Sequence, residues 1–188
     1  LGEQGDDLPP NLRAAAAISV PFDLSRSSRR INRGFSRFYQ KFFLSSLRRK
    51  AQEKAGRFPD LASADKISNL RTLEDFDNLI TGPLHGFKNA QDYYERSSSL
   101  PRLEHIRLTT LLLSAVDDPM LPPEVLDEVR DIALRNPNLP LEFVHTGGHA
   151  DFIAGSWPWR PFYYAAYHVG VFSTVQFASD SGTRHLMT

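Results

Sequence analysis

Two carboxylates and a histidine stand where a proton-transfer site could be assembled. The stretch Arg107 to Pro122 opens with an apolar run free of Gly and Pro, then stops at Asp117-Asp118-Pro119. A second strand candidate, Leu141 to Thr146, ends in Gly147-Gly148-His149, so that His149 lies 31 residues after Asp118. Imidazole titrates near neutrality and can take up and return a proton. A carboxylate held against it fixes its tautomer and stabilises its cation. An acid and a histidine leaving two successive strands therefore suit general-base assistance to a hydroxyl nucleophile. On residue type alone either aspartate could orient the ring, with the other serving as a turn or capping carboxylate.

The remaining chemical candidates are weaker. Gly34-Phe35-Ser36-Arg37-Phe38 has the Gly-x-Ser start of a nucleophile elbow, but Phe38 stands where the second Gly is needed. The string also lies inside a helical pattern, whereas an elbow joins a strand to a helix. Ser36 is therefore set aside, and no Gly-x-Ser-x-Gly occurs anywhere in the 188 residues. His145 and His149 have the i, i+4 spacing that serves metal ligands on a helix. The two intervening glycines argue against a helix, so no metal is expected. His85, His105, His168 and His185 carry no motif. The absence of cysteine excludes a disulfide framework, thiolate chemistry and a sulfur-built metal cage, and it fits a reducing compartment.

These side chains need strands to carry them. The run after Arg107 reads as a strand buried on both faces, as in a parallel sheet, whose C-terminal end is where α/β sheets bind ligands. Ala14 to Val20, closed by Pro21, reads as a short, tightly covered central strand although alanine favours helix. Pro122-Pro123-Glu124 opens a helix that ends near Asn136-Pro137. After Leu141 to Thr146 a closing helix is expected around Arg160 to Phe172, entered through Trp157-Pro158-Trp159-Arg160-Pro161. The polar stretch 178–188 reads as a frayed tail.

Between the first two strands the pattern turns helical. Ser27 or Ser28 can cap a long helix on which Ile31, Phe35, Phe38, Tyr39, Phe42, Phe43 and Leu47 recur at helical spacing. Arg29, Arg30, Arg33, Arg37, Lys41 and Arg48 lie largely between them. From 26 to 57 there are eleven Lys/Arg and one acid, which leaves eleven basic and twenty-one acidic residues elsewhere in a chain of zero formal net charge. The ordinary outcome for such a helix is aromatics packed on the domain and arginines in solvent. The sharper one is a lid or a membrane-surface element, because a basic amphipathic helix suits anionic headgroups. No nucleic-acid-binding motif accompanies the charge. Thr72 with Asp75 forms a capping-box pattern, Thr81 to Gly86 breaks the helix it opens, and Asn89 to Ser98 forms another.

Hydrophobic content of 41% and charged content of 23% place the chain among globular proteins large enough for one real core. No run of 18 apolar residues could span a bilayer. The start at Leu1 has neither an initiator Met nor the basic and apolar regions of a signal peptide.

Five strings in order carry a resemblance: Ile31 to Tyr39, Phe76 to Phe87, Asp92-Tyr93-Tyr94, Asp117-Asp118-Pro119, and His145 to His149. Together they resemble the YheT-like branch of the α/β-hydrolases, over roughly Asn11 to Phe172. The resemblance implies an α/β chain forming the C-terminal part of an α/β-hydrolase fold, a mostly parallel sheet with a helical lid insertion. Residues 1–22 would be core before the lid, 23–105 the lid, 106–177 the remaining core and 178–188 a tail. It implies a cofactor-free serine hydrolase of carboxylic esters, with acylglycerol- or phospholipid-like substrates. Asp118 becomes the acid, because Asp118-Pro119-Met120-Leu121-Pro122 fits the family spacing and Asp117 is off by one; His149 becomes the base.

The family's elbow lies upstream of the strand at Ala14 to Val20, and so before Leu1. The chain is thus expected to hold two triad members without a nucleophile, to be inactive alone, and to expose an uncovered strand edge that makes it poorly soluble. The alternative expectation is a non-catalytic fragment that binds lipid or a partner through the basic helix. The expected partners are an ester or lipid-like small molecule and a membrane surface, with no nucleic acid and with a cytoplasmic or membrane-associated location.

Overall fold

The computed structural model describes residues 1–55, 62–149, 152–156 and 160–185, with backbone alone for 153–156, 160–162 and 177–185. In chain order the elements are β1 (Ala15–Ile18), α1 (Leu24–Ile31), α2 (Arg37–Ala55), α3 (Ala64–Ser68), α4 (Leu73–Phe76), α5 (Gly82–Leu84), α6 (Ala90–Ser97), β2 (Thr110–Ala115), α7 (Pro123–Ala133), β3 (Leu141–Val144), β4 (Ile153–Ser156), β5 (Arg160–Tyr163) and α8 (Tyr164–His185). They form two compact units, one made of 1–22 with 99–188 and the other of 23–98. Residues 99–105 therefore group with the sheet. Their short 3₁₀ turn buries Leu103 in the sheet unit's core.

The first unit is an α/β layer structure built on a parallel sheet in the order β1-β2-β3. β2 is the central strand, and all six of its residues are buried. That is why its sequence is a continuous apolar run without alternation. Its side chains still alternate in direction. Leu112 packs with Leu121, Val125, Val129 and Leu139 on the α7 side. Leu113 and Ala115 pack with Phe152 and Ala165 on the α8 side. Asn136, buried at the end of α7, donates from Nδ2 to the carbonyls of Leu103 and Ile106, both at 3.0 Å, and so fixes the approach to β2.

Two expectations for the C-terminal part are corrected. Arg160 to Tyr163 is a strand antiparallel to β4, not the start of the closing helix. Aromatic residues favour a pleated surface, and Pro161 is tolerated where a two-stranded ribbon leaves its edge open. The helix begins at Tyr164 and its backbone runs to His185, so the stretch 178–185 is helical where a frayed tail was expected. The expected entry at Trp157-Pro158-Trp159 lies outside the described residues.

α8 is tied to the sheet by polar contacts. Tyr164 donates its hydroxyl to Glu142 of β3, and His168 Nδ1 lies 2.8 Å from the other carboxylate oxygen. The Tyr164 and His168 rings stack at 4.0 Å. The bond to Glu142, then burial, pushes the Tyr164 phenol up to about 12.

The second unit is helical. Asp23, not Ser27 or Ser28, caps α1 by accepting the Arg26 N–H at 2.8 Å. The expected single long helix breaks into two. Asn32 ends α1, and a 3₁₀ turn over Gly34–Ser36, with Gly34 at φ +53°, separates it from α2. The Thr72–Asp75 capping box forms as expected. From there one helical rod runs through a wide π turn at Asp77–Thr81 to Leu84, past Gly82-Pro83 rather than breaking there.

The aromatic face of α2 is also a correction. Phe35, Phe38 and Phe42 are 72%, 71% and 72% exposed. The helix instead buries the row Leu44, Leu47 and Ala51 against Ile67, Leu70, Phe76 and Ile80. Both rows have helical periodicity, and the small aliphatic one fits between the short helices. Among the described residues no helix is long and apolar enough to cross a membrane.

Replacing Leu113, fully buried on β2, by Ala should cost about 3 kcal/mol in equilibrium urea unfolding, the range for a core leucine. Leu134→Ala, at a position 81% exposed, should change stability by no more than about 0.5 kcal/mol.

Candidate functional site

Asp118 and His149 are brought together at the C-terminal end of the sheet. β2 ends at Ala115, and a tight turn closes as the Asp118 N–H donates to the Ala115 carbonyl at 3.2 Å. This turns the Asp118 side chain inward, where it has no solvent exposure. Each of its oxygens has a partner. Oδ1 accepts the Met120 N–H at 2.8 Å, and Oδ2 lies 2.8 Å from His149 Nδ1. A buried carboxylate is costly unless it is hydrogen-bonded, and these two contacts supply that need.

His149 comes from the loop after β3. β2 and β3 are in register with Ala115 opposite Val144, and the Val116 N–H still donates to the Val144 carbonyl at 2.9 Å. The two loops therefore start side by side. The imidazole is 35% exposed, with its Nδ1 turned to Asp118. The Asp118 hydrogen bond and charge hold its pKa above the usual imidazole value against the opposing effect of burial. With Nδ1–H donating to the carboxylate, Nε2 is the basic nitrogen, and a base oriented in this way can accept a proton from a hydroxyl.

Asp117 does not reach the ring. Its Oδ1 accepts the N–H groups of Gly147 and Gly148, both at 3.0 Å. The sequence marks it as a capping carboxylate, but backbone amides thirty residues away leave no signature in residue types. Gly148 has φ +63°, and a Cβ at Gly147 would meet the Phe152 ring at 2.7 Å. Both positions thus need glycine, one for its conformation and one for the close approach. Phe152, buried and at φ +41°, closes the loop by donating its N–H to the Gly147 carbonyl.

Two other arrangements compete for attention. Glu142 and His168 also form an acid–histidine pair, but Glu142 lies within β3, opposite Leu113, and its other oxygen is taken by Tyr164. That pair ties a helix to a strand. Ser19, just past β1, combines φ +51° with a buried hydroxyl that has no hydrogen-bond partner among the described residues. Ala17 and Pro21 occupy the flanking positions where an elbow carries glycine. Ser36 is buried in the helical unit, within the 3₁₀ turn. Among the described residues no group of three or more His, Cys, Asp or Glu could hold a metal ion.

Curated relatives align with most of the chain. YheT of Escherichia coli (strain K12) is 34% identical over 158 residues, which is 83% of this chain and 45% of that protein. The monoacylglycerol lipase of Saccharomyces cerevisiae is 35% identical over 158 residues, covering 79% of this chain and 34% of its own length. The human phospholipase ABHD3 is 28% identical over 159 residues, covering 84% and 38%. The chain therefore spans less than half the length of these relatives. No protein-family model matches it, and no solved structure matches it.

The raised pKa of His149 makes stability depend on pH with a definite sign. The contribution is fully present below the ordinary imidazole value of about 6.5 and is lost as pH rises through the higher folded value. Urea midpoints measured across that interval should fall with rising pH. Asp118→Asn, by removing the charge that raises the pKa, should flatten the decline.

Proposed function

This chain belongs to the YheT-like α/β-hydrolases, and on that premise we propose that it supplies the acid and the base of a serine carboxylic-ester hydrolase. The observation that carries the reading is the 2.8 Å contact between His149 Nδ1 and the buried Asp118 carboxylate. His149 Nε2 takes the proton from a serine hydroxyl as its oxygen attacks the ester carbonyl. It then returns that proton to the departing alkoxide. Water repeats the cycle on the acyl-enzyme, with His149 again as base. Asp118 keeps the ring in the required tautomer and stabilises its cation. No elbow stands in the sequence, so the serine in this reading comes from outside these 188 residues. The substrate class is an acylglycerol- or phospholipid-like ester, as the names of the lipase and phospholipase relatives suggest. The helical unit 23–98 serves as the lid.

In an ester-cleaving form of the protein, His149→Ala and Asp118→Ala should each lower kcat by about 10⁴-fold or more. Full turnover in both variants would end the reading. The 188-residue protein alone should not be labelled by a fluorophosphonate probe. Labelling, at Ser19 above all, would move the nucleophile inside the chain.

A second reading is favoured by the exposed aromatic cluster. Phe35 lies 5.6 Å from Phe38 and 6.0 Å from Tyr39, and Phe42 lies 6.0 Å from Phe43, centroid to centroid. Arg29, Arg33, Arg37, Lys41, Arg49 and Lys50 of the same segment are also exposed. Apolar side chains beside a basic field suit the surface of an anionic phospholipid bilayer. Sedimentation with vesicles of phosphatidylcholine containing about a third phosphatidylserine should carry the protein down. Pure phosphatidylcholine should carry little, and the F35S/F38S/F42S variant should stay in solution. Equal binding of the variant would remove the aromatic cluster from the interaction.

A further inference from the structure

We propose that Asp117 is a positioning residue for His149: by holding the Gly147 and Gly148 amides, its carboxylate sets where the imidazole meets Asp118. The inference rests on the reading of Asp118 and His149 as acid and base, and it assigns the neighbouring aspartate a separate task in the same site.

The geometry divides the work between consecutive residues. Asp118 is buried and faces the ring. Asp117 is exposed and faces the backbone of the loop that carries the ring. The tight turn after β2 sends the two side chains to different targets, so one Asp-Asp pair serves both the ring and the loop that carries it. The Gly147 and Gly148 N–H groups converge on one oxygen, both at 3.0 Å. Successive amides aimed at one point form an anion-binding nest, and the anion here is a side chain of the adjacent loop.

The contact is not a local turn, because its partners are 30 and 31 residues away in sequence. It joins the loop after β2 to the loop after β3, one residue before the histidine. Without it, Gly147 and Gly148 keep only the Phe152 N–H bond to the Gly147 carbonyl as a described tie on the far side. Two glycines in succession would then sample many conformations, and the imidazole would meet its carboxylate less often.

The test uses the 188-residue protein with the variants Asp117→Ala, Asp117→Asn and Asp118→Asn. Amide hydrogen exchange and the His149 imidazole titration are followed by NMR. Asp117→Ala should speed exchange at Gly147 and Gly148 by about tenfold while Leu112 and Leu113 keep their protection. The His149 titration should move down toward the ordinary imidazole range. Asp117→Asn loses the charge but keeps an acceptor oxygen, so it should lie between wild type and Asp117→Ala in both measurements.

Unchanged exchange at the two glycines in Asp117→Ala overturns the proposal. So does an equal fall of the His149 titration in both Asp117 variants, which would be loss of charge alone. Loss of protection spreading equally to Leu112 and Leu113 overturns it as well, since the role would then be general stability. If Asp117→Ala does not fold, Asp117→Asn decides: accelerated exchange confined to Gly147 and Gly148 supports the proposal, and wild-type exchange sinks it. Asp118→Asn separates this from the parent reading. If that variant leaves the His149 titration where it was, the acid–base pair itself fails, whatever Asp117 does.

Discussion

The carboxylate of Asp118 is the constraint on which the sheet unit depends. It is removed from water at the end of a strand whose every residue is buried. A charge in that position requires partners, and among the described residues the Met120 amide and the His149 ring supply them. The first partner shapes the turn that leaves β2. The second reaches across from the loop after β3 and links it to the central strand. Parallel pairing makes this possible, because it brings the C-terminal ends of neighbouring strands to the same edge.

The same dependence explains how the layers are arranged. β2 must be covered on both faces, so α7 packs on one and α8 with Phe152 on the other. The polar tie from Tyr164 and His168 to Glu142 holds the start of α8 against β3. The helical unit follows a different logic. Its helices are mostly short, and isolated short helices are marginal in water. They rely on side chains that satisfy their free amides: Asp23 for α1, Thr72 with Asp75 for α4, and Asn89 for α6.

How much of this was legible in the sequence depended on the kind of interaction. The apolar run of β2 announced a buried parallel strand, and the Thr72–Asp75 spacing announced a cap. The spacing from Asp118 to Pro122 distinguished the inward aspartate from its neighbour, though only through a family resemblance. Asp117 was less accessible, since its targets are peptide N–H groups that every residue but proline carries. Periodicity revealed a helix around Phe38 and pointed to its aromatic row as the packed one, whereas Leu44 and Ala51 are covered instead. The choice was made by the small aliphatic row fitting the short helices around it. The β4–β5 ribbon was missed because Arg160 to Tyr163 is too short a run to separate strand from helix by pattern.

The glycine pair before His149 has a practical consequence for anyone who diversifies this loop. A side chain at 147 would strike the Phe152 ring at 2.7 Å and crowd the Ala115 Cβ at 3.2 Å, and one at 148 would sit on a backbone that L-residues rarely adopt. A randomised library across 145–149 would therefore be thinned at its centre by folding alone, before any selection began. Useful variety would be confined to its first two positions, 145 and 146, which precede the glycine pair and the histidine.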